Sequence, residues 1–388
     1  MLYPWLDWQR AGLGAWLATA RLAATATPLG PALDPSHELL ARTLAAGAVA
    51  PRPVEAAVAR DAPFPIAAEE ILRTPFVRLV RLRGPATGRR LVMLAPHSGY
   101  TAAITSPLLT ALVSLGEVVV TDWTDARLVP LAAGPFGLAN QIATAIEAAA
   151  AHDGPAHLVA LSQSGPALLA AAAVLAAGPE RLRPASLAFL GCQLAPEVAP
   201  TPLQQSLAAW PSASLALILT AEVAVGHPGA GRRAYPALFQ LLAYSMASPG
   251  LYGEIQLGLL HEIAAGRDGD YGRQHLDLHS LLDVPAELFL DMLDWTTEGR
   301  LGGSGTLTLA GQRHDLAALR GTPILTVEAG KDGLVGPGQT HAIGRLLSGA
   351  RAETLAGAEH HELFTGPDFA RTLPPVLRHF YDAQPRAS

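Results

Sequence analysis

A chain of 388 residues, half of them hydrophobic and only 15% charged, can bury a large core, which excludes a disordered protein. The net charge of −6 at pH 7 gives no electrostatic reason to bind phosphate backbones, so we expect no nucleic-acid partner. Cys192 is the only cysteine, which excludes an intrachain disulfide and with it a disulfide-stapled secreted scaffold. The cytoplasm is therefore the expected compartment.

The N-terminal stretch is apolar but interrupted by Asp7, Gln9 and Arg10, and it lacks a basic region followed by an unbroken apolar run. We therefore expect no secretory signal. Apolar runs such as LLAAAAVLAA are shorter than the ~20 residues that cross a bilayer, so we expect no transmembrane segment. One apolar helical face is indicated by Leu2, Trp5, Leu6, Trp8, Leu13, Trp16 and Leu17. We expect this helix to pack on its own domain, with contact to a hydrophobic granule as the alternative.

Short apolar runs alternate with helical stretches in the rest of the chain. Strands are predicted at 76–83, 90–96, 117–123, 157–161, 186–191 and 324–330. Helix formers are dense at 138–151 and 166–177. This alternation predicts an α/β fold with a mainly parallel central sheet, right-handed crossovers and helices on both faces.

The segment HLVALSQSGPALLAA predicts a tight turn from a strand to a helix at Ser162. The nucleophile elbow of α/β-hydrolases has this form, and the residues two before and two after the nucleophile must be small because strand and helix approach closely. Ala160 and Ser164 meet that need in a degenerate GxSxG pattern. Ser164 is the rival nucleophile, but Ser162 directly follows the strand, so we favour it. Alternatively, both serines only cap the helix.

A serine nucleophile requires a histidine that accepts its proton and a carboxylate that fixes the histidine tautomer. Asp332 follows the strand at 324–330, and His360 and His361 follow a further strand-like run. Either histidine could reach the serine on chemistry alone, and a solvated turn aspartate or an ordinary loop histidine is the alternative. The order Ser162, Asp332, His360 is nevertheless that of the α/β-hydrolase fold.

Two backbone sites are candidates for stabilising an oxyanion. The N–H of Gln163 would lie at a helix N-terminus, where the helix dipole favours negative charge. The segment APHSGY follows the second predicted strand, and its turn could direct an N–H of His97 or Ser98 toward the site. The alternative for this segment is an ordinary glycine turn without a role.

The strand-helix alternation stops after Cys192 and resumes near Gly321, and helical and irregular stretches lie between them. An insertion at this place in an α/β-hydrolase forms a lid that shapes the substrate site and limits the access of water. We therefore expect an N-terminal helical appendage at 1–60, a core at 61–192 and 313–388, and a helical lid insertion at 193–312.

Distinctive blocks of sequence occur nearly from end to end of the chain. They are MLY, LVMLAPHSGY, VVVTDWTDARLVPLAAGPFGL, HLVALSQSGPALLAA, PGAGRRAYP, TVEAGKDGLVGPGQT and GAEHHELFTGPDF. In these blocks the chain resembles the intracellular poly(3-hydroxybutyrate) or polyhydroxyalkanoate depolymerases. The resemblance implies Ser162 as nucleophile, Asp332 as acid and His360, rather than His361, as base. The chain departs from the family at the nucleophile, because members usually carry cysteine in a VCQP-like context where this chain has LSQS.

The resemblance implies hydrolysis of an amorphous storage polyester through an acyl-enzyme, with 3-hydroxy acid monomers or oligomers as products and no metal or organic cofactor. The expected partner is a polyester granule in the cytoplasm, or oligomeric hydroxyalkanoate esters. Serine and cysteine share the same triad logic, so activity should survive the exchange. The alternatives are a soluble short-chain carboxylesterase, a non-catalytic granule-binding protein, and an acyltransferase that makes polyester from a thioester donor.

Overall fold

The computed structural model describes residues 12–22, 30–46, 52–86, 88–299, 301, 305–366 and 368–384. Of the predicted apolar face at the N-terminus, Leu2, Trp5, Leu6 and Trp8 lie outside these residues. In the helix at 12–22, Leu17 is buried, whereas Trp16 is 57% exposed and packs edge-on against the ring of His37. None of the helices in the described ranges combines the length and apolar character needed to span a membrane.

The described residues form strands and helices that alternate along most of the core. The strands are β1 (Ala67–Arg73), β2 (Val77–Arg83), β3 (Arg90–Leu94), β4 (Glu117–Trp123), β5 (His157–Leu161), β6 (Ser186–Leu190), β7 (Ala221–Glu222), β8 (Arg233–Tyr235), β9 (Val284–Pro285), β10 (Thr306–Leu309), β11 (Gln312–Asp315), β12 (Ile324–Ala329) and β13 (Arg351–Leu355). The helices are α1 (12–22), α2 (Gly30–Ala46), α3 (Val54–Asp61), α4 (Ser106–Val113), α5 (Leu138–Ala150), α6 (Gly165–Ala177), α7 (Pro202–Ala208), α8 (Ser212–Leu219), α9 (Ala237–Ala247), α10 (Pro249–Ala264), α11 (Asp270–His279), α12 (Ala286–Glu298) and α13 (Phe369–Asp382).

The main sheet has eight strands among the described residues, in the order β1-β2-β4-β3-β5-β6-β12-β13. The pairs β1–β2 and β2–β4 are antiparallel, and every further pair is parallel. Every residue of β5, β6 and β12 is buried, as expected for parallel strands covered on both faces. This strand order, with β5 leading into a tight turn before α6, is that of the α/β-hydrolase fold, so the predicted fold class is confirmed.

The strands predicted from apolar runs are all present, and their ends differ from the prediction by at most two residues. The edge strand β1 was not predicted, because its sequence AAEEILR is largely exposed and lacks an apolar pattern. It pairs with β2 through an irregularity between Glu70 and Leu72.

Between β6 and β12 the chain leaves the main sheet and forms α7 to α12 together with two small sheets, β7-β8-β9 and β10-β11. The β10–β11 hairpin packs on α6. Helices α10 and α11 contact α2, so the N-terminal part of the chain packs on this intervening region. Helix α9 approaches the segment that follows β3, where the hydroxyl of Tyr244 donates a hydrogen bond to the carbonyl oxygen of Ser98.

A buried arginine, Arg232, links the region between β6 and β12 to the core through hydrogen bonds. Arg232 is 2% exposed, and its guanidinium donates to the carbonyl oxygens of Val129, Pro130 and Gly134 at 3.1, 2.7 and 2.8 Å. The guanidinium carbon also lies 4.9 Å from the ring centroid of Phe76. The block PGAGRRAYP therefore meets the block VVVTDWTDARLVPLAAGPFGL, and one side chain supplies a donor to each of three backbone carbonyls.

We expect Arg232→Ala to lower the free energy of unfolding by about 2–4 kcal/mol, because it removes one hydrogen-bond donor from each of these three carbonyls and the packing of a buried side chain. Arg233→Ala is the matched control, since Arg233 is exposed and its guanidinium donates to the hydroxyl of Thr220 at 2.7 Å. Urea unfolding followed by circular dichroism measures both variants. Equal losses in the two variants would show that Arg232 does not fasten the region.

Candidate active site

A strained turn presents Ser162 at the end of β5. Strand β5 ends at Leu161, a short 3-10 turn covers Ser162–Ser164, and α6 begins at Gly165. The φ angle of Ser162 is +55°, a left-handed conformation that a residue with a side chain rarely adopts. A Cβ on Gly165 would lie 2.5 Å from Cβ of Cys192, so this position has room only for glycine. Close packing thus forces the turn that the sequence predicted.

The structure brings Ser162, His360 and Asp332 into one hydrogen-bonded chain. Ser162 Oγ lies 2.9 Å from His360 Nε2, and His360 Nδ1 lies 2.6 Å from Asp332 Oδ2. The other carboxylate oxygen, Oδ1, accepts the backbone N–H groups of Leu334 and Val335, both at 2.8 Å. With Nδ1 donating its proton to the carboxylate, Nε2 carries the lone pair and faces the serine hydroxyl. This arrangement can move a proton from the hydroxyl to the imidazole.

A glycine that the sequence interpretation missed makes room for the histidine. Gly191 follows β6 with φ +54°, and a Cβ there would lie 2.5 Å from Cδ1 of Leu363 and 3.2 Å from Cε1 of His360. The side chains of His360 and Asp332 are only 7% and 4% exposed, so their contact is shielded from bulk water. The available signal was a glycine directly after a buried strand, which indicates a close approach of backbone and side chain.

The hydroxyl of Ser164, the alternative nucleophile, is hydrogen-bonded to backbone groups. Ser164 is fully buried, and its hydroxyl lies 2.7 Å from the carbonyl oxygen of Leu94 and 2.9 Å from that of Leu161. The same oxygen accepts the N–H of Leu161 at 3.1 Å. A hydroxyl engaged in this way ties the start of α6 to β3 and β5.

Of the two adjacent histidines, His360 is the one hydrogen-bonded to Ser162. His361 Nδ1 instead lies 3.6 Å from a carboxylate oxygen of Glu359. Burial lowers the pKa of His361, and the nearby Glu359 and Glu362 oppose that effect. The geometry thus separates two histidines that chemistry alone left equivalent.

The predicted oxyanion donors follow two neighbouring strands of the sheet, β5 and β3. Gln163 occupies the turn that opens α6, where the first N–H groups have no intrahelical partner. His97 follows β3, and its fully buried ring stacks on Trp123 with centroids 4.6 Å apart and an interplanar angle of 4°. Burial lowers the pKa of His97 to about 3, so the ring is neutral at physiological pH. Ser98, the third candidate, is partly buried and has its carbonyl held by Tyr244.

Cys192, which carries the one thiol of the chain, packs against the turn between β5 and α6. Cys192 is fully buried, with Sγ 3.5 Å from the carbonyl oxygen of Ala160 and 3.6 Å from that of Leu190. Burial raises the pKa of this thiol, which keeps it protonated. In the described ranges, no three His, Cys, Asp or Glu side chains converge as metal ligands.

Solved structures of similar shape are only distantly related in sequence. A hydrolase from Pseudomonas aeruginosa PA01 is 14% identical, with coverage of 81% of this chain and 98% of that chain and a TM-score of 0.48. Naproxen esterase from Bacillus subtilis is 14% identical, with coverage of 83% and 94% and a TM-score of 0.47. A thermophilic esterase from Thermogutta terrifontis is 13% identical, with coverage of 79% and 94% and a TM-score of 0.44. The strand order and the elbow identify the fold independently of these neighbours.

Sequence comparison gives a more specific relationship. No curated protein matches the chain significantly. Residues 192–384, however, match the family model described as PHB de-polymerase C-terminus, where PHB denotes poly(3-hydroxybutyrate). The matched segment contains Asp332 and His360, whereas Ser162 precedes it. Residues 192–384 therefore belong to the PHB depolymerase C-terminal family, within a chain that has an α/β-hydrolase fold.

Proposed function

We propose that the chain is a polyhydroxyalkanoate depolymerase that cleaves polyester ester bonds with Ser162 as nucleophile, His360 as base and Asp332 as the carboxylate that orients it. The observation that carries this proposal is the hydrogen-bonded chain from Ser162 through His360 to Asp332, placed at a strained elbow. The broader class of enzyme, a carboxylic ester hydrolase, is confirmed by the family match. The polyester and the roles of the three residues are the proposed part.

In the acylation step, Ser162 Oγ attacks the ester carbonyl while His360 Nε2 takes its proton. The tetrahedral intermediate collapses, and the imidazolium returns the proton to the departing hydroxyl of the cleaved chain. Water then attacks the acyl-enzyme with His360 again as base, which releases a 3-hydroxy acid or oligomer and restores the serine. Asp332 stabilises the imidazolium in both steps. The N–H groups of Leu334 and Val335 donate hydrogen bonds to its carboxylate.

The tetrahedral intermediate carries a negative oxygen that requires donors placed in advance. The N–H of Gln163 at the start of α6 is the first donor in our proposal, because the helix dipole also favours negative charge there. An N–H from the segment containing His97 and Ser98 is the second. The neutral ring of His97 is not needed as an acid in this scheme, since the backbone supplies the donors.

The surface beside the site supports a polymer as substrate. Helix α9 has no charged residue, and its Leu242 and Met246, one turn apart, are 50% and 71% exposed. The same helix touches the site on its other side, through Tyr244 at Ser98. Further exposed apolar residues of the region are Trp210, Leu217, Ile218 and Leu257. We propose that the insertion at 193–312 acts as a lid whose apolar outer surface meets a polyester granule in the cytoplasm.

Ser162→Ala should abolish clearance of an amorphous polyhydroxybutyrate emulsion, with a loss of about 10⁴-fold or more, because the nucleophile is removed. Ser164→Ala should cause only a partial loss, since its hydroxyl ties α6 to β3 and β5. Turbidity of the emulsion and release of nitrophenol from p-nitrophenyl butyrate are the two readouts. A larger loss of activity in Ser164→Ala than in Ser162→Ala would indicate that Ser164 is the nucleophile.

The wild-type protein in the same assays separates the other functions. Hydrolysis of p-nitrophenyl butyrate without clearance of the emulsion would indicate a soluble short-chain carboxylesterase. Inactivity on both, with binding to the polymer, would indicate a granule-binding protein. Thioester-dependent polymerisation without hydrolysis would indicate an acyltransferase.

The double variant Leu242→Ser, Met246→Ser should lose about tenfold in the rate of polymer clearance, because apolar contact with the polymer surface is reduced. Its kcat/KM for p-nitrophenyl butyrate should stay within twofold of wild type. Val174→Ser is the matched control, since Val174 is 44% exposed but lies on α6 of the core. Equal losses on both substrates, or an equal loss in the control, would contradict this role of α9.

A further inference from the structure

The segment after β3 is held on one side by the core. The N–H of Ala95 donates to the hydroxyl of Thr121 at 2.9 Å, and the indole N–H of Trp123 donates to the carbonyl oxygen of Ala95 at 2.9 Å. The stacked ring of His97 covers the same indole. These contacts hold residues 95–97 against the core. The peptides of Ser98 and Gly99, which follow, are held by other residues.

On its other side the segment is held by the intervening region. The hydroxyl of Tyr244 in α9 donates to the carbonyl oxygen of Ser98 at 2.7 Å. The N–H of Leu282 donates to the carbonyl oxygen of Gly99. Gly99 has φ +95°, and a Cβ there would overlap the side-chain amide of Gln240, so α9 packs directly on the glycine.

The bond from Tyr244 controls the direction of an N–H group. A peptide unit is planar and trans, so its C=O and its N–H point in opposite directions. When Tyr244 holds the carbonyl of Ser98, it also fixes the N–H of Gly99 and restrains the preceding peptide, which carries the N–H of Ser98. In hydrolases with this elbow, the second oxyanion donor comes from the segment after the third strand. The segment held by Tyr244 occupies that place.

We propose that Tyr244 is a positioning residue for catalysis: its hydroxyl, supplied by the insertion, holds the Ser98–Gly99 peptide so that the second oxyanion N–H faces the intermediate. This inference rests on the proposed serine hydrolase function. In this proposal the insertion at 193–312 does more than cover the site. A side chain of its helix α9 sets the geometry of a backbone donor in the core, so the insertion takes part in catalysis.

The surroundings of Tyr244 suit a fixed donor. Its ring packs on Tyr100 with centroids 4.9 Å apart, and burial raises the pKa of Tyr244 to about 12. The hydroxyl therefore keeps its proton, and with it the hydrogen bond, throughout the neutral range. Tyr252 provides a contrast in the same cluster, since its hydroxyl lies 2.8 Å from that of Tyr100 and has no contact with Ser98 among the described hydrogen bonds.

The test compares Tyr244→Phe with Tyr252→Phe in the full-length protein, with p-nitrophenyl butyrate as substrate. Each variant loses one hydroxyl and keeps its ring. For Tyr244→Phe we expect kcat to fall about tenfold with KM within twofold, less than the ~10²–10³-fold effect of removing a direct oxyanion donor. For Tyr252→Phe we expect kcat within twofold of wild type.

A transition-state analogue provides the second readout. A trifluoromethyl ketone adds to the serine and forms an oxyanion, so its Ki should rise in Tyr244→Phe by the same factor as kcat/KM falls. All assays are run at a temperature below the thermal midpoints of both variants, so that loss of folded protein does not contribute.

Equal kcat values for the two variants, or a loss in Tyr244→Phe that is confined to KM or to the thermal midpoint, would overturn the inference. The wild-type protein and Ser162→Ala separate this outcome from failure of the proposed function. If wild type is inactive, or if Ser162→Ala retains activity, the function itself fails. If activity depends on Ser162 but not on the hydroxyl of Tyr244, only the positioning role fails.

Discussion

The hydrogen bond between Ser162 Oγ and His360 Nε2 joins residues 198 positions apart in the chain. It requires a left-handed residue at the end of β5, a glycine at the end of β6 and a carboxylate beyond β12. Each requirement is met at the carboxyl end of a parallel strand, where neighbouring strands bring their following loops together. The sheet thus brings Ser162, Asp332 and His360, which are far apart in the sequence, into one hydrogen-bonded chain.

Much of the core could be predicted because a parallel strand buried on both faces is a continuous apolar run. The runs that become β5, β6 and β12 stand out for that reason, and Ser162 and Asp332 could be proposed because each lies within three residues of the end of such a run. The edge strand β1 could not, since exposed residues carry no such pattern. His360 and His361 differ only in their long-range partners, so local sequence could not separate them without the family resemblance.

The contacts that could not be predicted are those between the intervening region and the core. Arg232 and Tyr244 have no local feature that distinguishes them from other arginines or helix tyrosines. Their roles follow from tertiary packing, which places the guanidinium of Arg232 beside three carbonyls and the hydroxyl of Tyr244 against the peptide of Ser98. The blocks around Arg232, which contributed to the family resemblance, therefore join the intervening region to the core.

Helix α9 links substrate contact to chemistry in this account. Its exposed side carries Leu242 and Met246, while the opposite side meets Ser98 through Tyr244 and Gly99 through Gln240. The surface that we propose meets the polymer and the hydroxyl that we propose orients a backbone donor thus belong to one helix.

The most direct test of the central claim is covalent labelling of the nucleophile. An alkyl fluorophosphonate reacts with a serine that a neighbouring histidine activates, and mass spectrometry of a proteolytic digest locates the adduct. The account predicts one adduct, on Ser162, with labelling slowed sharply by His360→Ala and unchanged by His361→Ala. An adduct on Ser164, or labelling of Ser162 at the same rate without His360, would contradict it.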